Sequence, residues 1–120
     1  MGEIKTFRDL IAWQKAMAMA REVYRLTRPM PAEERFGLTS QMRRAAVSVP
    51  SNIAEGYGRQ STDDYLRFLR MARGSLAELD TQIELALGLD MIQGPEPTIE
   101  ILRETDRVLQ GLIRSLESRT

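Results

Sequence analysis

Apolar side chains recur at three- and four-residue steps in four separate stretches of this chain, and this spacing is the strongest constraint on its fold. Steps of that size place side chains on one face of an α-helix. Proline, glycine and polar residues separate the stretches, and none of the stretches has the polar–apolar alternation of a strand. The predicted helices cover about residues 8–27, 32–57, 62–89 and 98–118.

Long helices with short connections are typical of an antiparallel, up-down four-helix bundle. We therefore predict an all-α fold and a single domain over residues 1–120, a length that is sufficient for one hydrophobic core. The residues expected in the core are Leu10, Trp13, Met17, Ala20 and Tyr24 in the first helix; Leu38, Met42, Ala45, Val49 and Ile53 in the second; Tyr65, Leu69, Ala72, Leu76, Leu79, Ile83 and Leu87 in the third; and Ile99, Leu102, Leu109, Leu112, Ile113 and Leu116 in the fourth.

The second helix is apolar on two of its sides, which predicts self-association. Beside the expected core face, Val47, Pro50 and Ala54 form a second apolar side. A helix with two apolar sides is usually buried on both, and the core of one bundle covers only one of them. We therefore expect the second side to pack on a neighbouring subunit in a homo-oligomer.

A narrow polar stripe on the same helix is the first candidate site, and it consists of Gln41, Arg44, Ser48, Asn52 and Glu55. Because buried charges must be paired or hydrogen-bonded, we expect these residues to form a structural network at a subunit interface. The alternative is a binding or catalytic site that uses Arg44, Asn52 and Glu55. That alternative requires the three side chains to line one open pocket with strongly perturbed carboxylate pKa values.

The end of the second helix is rich in helix-breaking residues. Pro50 removes one backbone hydrogen bond and is expected to bend the helix. Gly56 is expected to be a left-handed C-cap, with Gly58 in the turn that follows. The Gly-x-Gly motif does not predict a phosphate-binding loop, because it follows a helix and lacks a subsequent Gly-Lys-Ser/Thr.

Four arginines around the turn between the second and third helices form a second candidate site: Arg59, Arg67, Arg70 and Arg73. With nearby tyrosines they predict phosphate contacts and base stacking; the alternative is a solvated basic face. The whole chain has 17 basic and 17 acidic residues, so its net charge does not favour nucleic acid. Its charge is uneven, however. Residues 35–73 contain seven arginines and three acidic residues, whereas residues 74–120 contain four arginines and nine acidic residues.

The composition disfavours most catalytic chemistry. The chain contains no cysteine and no histidine, which removes thiolate metal sites and the commonest general base. The acidic residues that could face inward, Glu55, Glu78, Asp80 and Glu84, do not have the spacing of a known metal-ligand set. We predict no cofactor, no metal and no enzymatic activity. No apolar run approaches the length of a membrane span and no signal peptide is visible, so we expect a cytoplasmic protein without a membrane partner.

Three stretches resemble a known bacterial family: FRDLIAWQKAMAMAREVYRLT, GLTSQMRRAAVSVPSNIAEGYGR and YLRFLRMARGSLAELDTQI. They are similar to four-helix-bundle proteins first noted as products of intervening sequences within large-subunit ribosomal RNA genes. The resemblance runs from residue 7 to about residue 92 and is most specific over residues 37–59. After Gly94 it is limited to the apolar pattern.

The resemblance implies an antiparallel four-helix bundle that assembles as a ring-like homopentamer. The family has no established biochemical role and no accepted catalytic residues, and some members carry a ribosomal-protein label from their gene context. A related bundle, the accessory protein of diversity-generating retroelements, binds nucleic acid and reverse transcriptase through a basic surface. We therefore predict a non-enzymatic, oligomeric interaction or scaffold protein. The alternative is an RNA- or DNA-binding accessory protein, with structured RNA or an RNA-associated protein as partner.

Overall fold

A computed structural model describes residues 2–119 and contains four α-helices: α1 (Ile11–Thr27), α2 (Leu38–Tyr57), α3 (Thr62–Gly88) and α4 (Glu96–Glu117). Residues 2–119 contain no β-strand, so the predicted all-α class is confirmed. Each helix packs on the next one in the chain, and α4 returns to pack on α1. This cycle of contacts is the predicted antiparallel four-helix bundle, which measures 45 × 26 × 20 Å.

α1 and α2 begin later than the apolar pattern predicts, because each is preceded by a short 3-10 helix. The first of these, Phe7–Asp9, is capped by Thr6, whose hydroxyl accepts a hydrogen bond from the Arg8 amide at 3.1 Å. Leu10 is then extended, with φ −73° and ψ 126°, so α1 begins only at Ile11. The second, Ala32–Glu34, is followed by Gly37, the N-cap of α2.

The core confirms most of the predicted positions on α2, α3 and α4. The fully or nearly fully buried side chains on these helices include Met42, Ala45, Val49, Ile53, Leu69, Ala72, Leu76, Leu79, Ile83, Leu102, Leu109, Ile113 and Leu116. The exceptions lie mostly at helix ends, where Leu38, Tyr65 and Ile99 are half-buried and Leu87 is exposed. Leu112, on the flank of α4, is also half-buried.

The predicted core face of α1 is only partly correct. Leu10 and Ala20 are buried as predicted, but Trp13 and Met17 are half-buried and Tyr24 is exposed. The buried residues of α1 lie mostly on a neighbouring face: Ala12, Ala16, Met19, Ala20, Val23 and Leu26. α1 therefore has two apolar faces, and the face that carries Ala16 and Met19 packs into the core.

Gly56 lies within α2 and is not the predicted left-handed C-cap. The C-cap is Gly58, whose φ is −79°, and α2 ends one residue before it. A Cβ atom on Gly56 would lie 2.8 Å from the Cβ of Phe68 and 3.2 Å from the carbonyl oxygen of Tyr65. Gly56 is therefore needed because α2 and α3 approach each other closely at this point.

Tyr65 provides a pH-dependent test of the packing at this end of the bundle. Its ring meets that of Tyr57 edge to face, with centroids 6.1 Å apart. Burial, with a smaller contribution from Tyr57, raises the pKa of Tyr65 from 10 to about 12. The unfolded chain therefore ionises first, so the stability that Tyr65 contributes is complete below pH 10 and is lost as the pH rises towards 12.

We expect the free energy of unfolding, measured by denaturant titration at increasing pH, to fall more steeply in the wild type than in Tyr65→Phe above pH 10. The phenylalanine variant keeps the ring but lacks the ionisable group. Parallel pH profiles for the two proteins would show that Tyr65 ionises equally easily in the folded and unfolded chains.

Candidate functional site

The middle of the polar stripe on α2 is held by hydrogen bonds to α3 and within α2. The hydroxyl oxygens of Ser48 and Ser75 lie 2.9 Å apart, which links α2 to α3. The side-chain amide of Asn52 donates to the carbonyl oxygen and to the hydroxyl of Ser48, both at 2.9 Å. Ser48 and Asn52 are half-buried, so these bonds satisfy polar groups at the edge of the core.

The other three residues of the stripe, one of which is uncharged, lie apart from that cluster and face outward. Gln41, Arg44 and Glu55 are all exposed. Glu55 pairs with Arg59 one turn later, at 3.3 Å. Within residues 2–119, no hydrogen bond or ion pair joins Arg44 to Glu55. The isolated bundle therefore contains separate polar contacts along the stripe.

The three residues of the catalytic alternative do not come together in the cavity that lies between α2 and α3. This cavity of about 250 Å³ is lined by Arg44 and Ser48, together with Glu78 of α3. Asn52 and Glu55 are not among its lining residues. In the described part of the chain, no cluster of three or more acidic side chains has the arrangement of a metal site.

The four arginines of the second candidate site all have acidic partners. The nitrogen–oxygen distances are 3.3 Å for Arg59–Glu55, 3.5 Å for Arg67–Asp64, 2.7 Å for Arg70–Glu117 and 3.2 Å for Arg73–Asp106. The guanidinium groups of Arg59 and Arg67 also lie 4.6 and 4.7 Å from the centre of the Phe68 ring. The positive charge of this surface is therefore compensated locally, and the two pairs with α4 join residues that are distant in the sequence.

A large apolar groove lies between α1 and α2 on the outside of the bundle. Its volume is about 770 Å³, and its apolar walls are formed by Trp13, Met17, Ala20, Val47, Pro50 and Ala54. The α2 wall is the second apolar side predicted for that helix. On the α1 wall, Trp13 and Met17 are large residues that the sequence pattern assigned to the core and that the structure leaves half-buried. The sequence contains an indication of this α1 wall, because α1 has two apolar faces and only one of them can face the core.

The groove continues towards the loop between α1 and α2. A second cavity of about 610 Å³ shares Tyr24 and Val47 with the first and extends to Phe36. Phe36 is 85% exposed. Arg43 lies between the helices, with its guanidinium 4.5 Å from the centre of the Tyr24 ring and its Nε donating to the Thr27 hydroxyl at 2.9 Å. We call these two cavities together the α1–α2 groove.

The comparisons with known proteins identify a family and no activity. The family model described as 23S rRNA-intervening sequence protein matches residues 8–114, which include nearly all of the four helices. No curated protein matches the chain. None of the helices in residues 2–119 has the length and hydropathy needed to cross a membrane.

Proposed function

The chain belongs to the 23S rRNA-intervening sequence protein family, and on that premise we propose that it is a non-enzymatic interaction or scaffold protein that works as an assembly of identical subunits. The family description states no catalytic role. The α1–α2 groove is the proposed self-association surface. Arg44 and Ser48 line its second cavity, so this part of the polar stripe belongs to the proposed interface.

The observation that carries the proposal is the apolar character of the α1–α2 groove. Trp13, Met17 and Val47 are large apolar residues that the bundle's own core does not cover completely. Contiguous exposed apolar surface of this kind usually marks a protein–protein contact. The groove lies on the outside of the bundle, which suits binding of another folded subunit.

The mass of the protein in solution tests this proposal. We expect sedimentation equilibrium to give a multiple of the 13.7 kDa chain mass, and five copies is the number that the family resemblance implies. A species of 13.7 kDa at every concentration measured would contradict self-association.

The nucleic-acid alternative has weaker support from the same geometry, because Arg59, Arg67, Arg70 and Arg73 are each paired with a carboxylate. Binding of a structured RNA measured at increasing salt separates the two functions. Affinity that falls steeply with salt would favour the alternative, whereas no binding at about 50 mM salt would remove it. We expect the second result.

A further inference from the structure

We propose that the α1–α2 groove of one subunit binds the acidic C-terminal half of α3 from a second copy of the chain. The inference rests on the proposed function and identifies what covers the groove. The subunits would then associate head to tail, through two different surfaces of the same chain.

The rim of the groove is basic, and most of its charge is unpaired within the subunit, although Arg44 also shares the small α2–α3 cavity with Glu78. Five arginines line the two cavities without a carboxylate partner in residues 2–119: Arg21, Arg28, Arg35, Arg43 and Arg44. A sixth, Arg25, pairs with Glu22. The groove therefore combines apolar walls with excess positive charge, and it favours a partner that is both apolar and acidic.

Residues 74–102 have the complementary chemistry. This segment contains no lysine or arginine, and its six acidic residues are all exposed: Glu78, Asp80, Glu84, Asp90, Glu96 and Glu100. None of the six forms an ion pair with another described residue. On the same segment, Leu85 and Leu89 are 52% and 53% exposed. Apolar side chains and uncompensated negative charge therefore occur together near the C-terminal end of α3.

The two surfaces also lie at compatible heights on the bundle. α1 ends at Thr27 and α2 begins at Leu38, while α3 ends at Gly88. In an up-down bundle these three helix ends lie at the same end of the molecule. The rim arginines near the α1–α2 loop are therefore level with Leu85 and Leu89 along the helix axis. Subunits placed side by side can join these surfaces without shifting along the helix axis.

The proposed pairing is of the head-to-tail kind that the ring implied by the family resemblance requires. A two-fold contact made groove to groove would bring the two arginine rims together, and like charges at an interface are costly. A head-to-tail contact brings each rim against an acidic segment. Repetition of such a contact around an axis parallel to the helices closes into a ring when the rotation divides the circle evenly.

Charge reversal tests the pairing with two double variants. The first carries Arg21→Glu and Arg28→Glu in the rim, and the second carries Asp80→Arg and Glu84→Arg on α3. All four side chains are exposed and make no side-chain hydrogen bond or ion pair within residues 2–119, so folding should be retained. In each double variant, like charges face each other across the proposed subunit contact. We therefore expect the dissociation constant of the assembly to rise at least about tenfold.

The combined variant, with all four reversals in one chain, provides the decisive comparison. Its rim is acidic at two positions and its α3 is basic at two positions, so opposite charges face each other again. We expect its dissociation constant to return to near the wild-type value. A purely structural effect of the substitutions would instead accumulate, and the combined variant would be the weakest of the three.

Two results would overturn the pairing: unchanged assembly in both double variants, or no recovery in the combined variant. Either result is compatible with a wild type that assembles and that is dissociated by a substitution inside the groove, Val47→Glu. In that case the groove is a subunit interface, but a different part of the second copy occupies it. If the wild type is itself a 13.7 kDa monomer, the proposed function and the pairing both fail.

Discussion

Val47→Glu is expected to convert the assembly into a folded monomer of 13.7 kDa. Val47 lies on α2 between the two cavities of the α1–α2 groove and lines both of them. A carboxylate at this position would have to lose water in a contact with a second subunit, and an ion pair with Arg43 or Arg44 of the same cavity would not restore the lost apolar contact. In the single subunit Val47 is 43% exposed, so the new carboxylate reaches water and the fold is retained.

Ile11→Glu is the matched control for this variant. Ile11 is 57% exposed at the start of α1 and does not line either cavity. The same change from an apolar to an acidic side chain should therefore leave the mass in solution unchanged. Light scattering gives the mass, and circular dichroism shows that both variants keep their helices. Loss of assembly in both variants, or in neither, would remove the specific role of the groove.

Gly56→Ala is expected to destabilise the folded chain by about 1–3 kcal/mol, the usual cost of overpacking. The added methyl group would lie 2.8 Å from the Cβ of Phe68. It would also lie 3.2 Å from the carbonyl oxygen of Tyr65, which cannot move away without shifting α3. Because neither atom is the end of a flexible side chain, the helices must separate to accept it. Denaturant unfolding of the wild type and the variant measures the difference in free energy.

Gly111→Ala is the matched control within α4. A Cβ atom there would meet nothing within 4 Å, so the substitution adds no clash. Replacing glycine by alanine inside a helix should then stabilise the chain by about 0.5–1 kcal/mol. The two substitutions are chemically identical and are expected to have opposite signs. If Gly56→Ala were also stabilising, α2 and α3 would not depend on close approach at that position.

The sequence predicts the core faces of α2 and α3 well. The burial of Val49 and Ile53 on α2 follows directly from their spacing, and so does the start of α3, where the Ser61 hydroxyl accepts from the Asp64 amide at 3.1 Å. α1 differs because it has two apolar faces. Spacing cannot decide between a face with Trp13 and a face with Ala16, and that choice depends on how closely α1 packs against its neighbours.

The candidate sites depend on contacts between residues that are distant in the chain, which a sequence pattern does not contain. Arg70 pairs with Glu117 and Arg73 with Asp106, and both acidic partners come from α4. Counting charges within one segment therefore overestimates the positive charge of that surface. The second apolar side of α2 is predicted correctly from the sequence, but its continuation onto α1 appears only when the two helices are placed together.

Trp13 allows the most direct measurement on the unmodified protein, because it is the only tryptophan and lines the α1–α2 groove. If a second subunit covers the groove, dilution should shift the emission of Trp13 to longer wavelength as water reaches the ring. The shift should occur at the concentration where the mass falls to 13.7 kDa, and Val47→Glu should show the long-wavelength emission at all concentrations. Emission that is independent of concentration while the mass changes would contradict the assignment of this groove as the subunit interface.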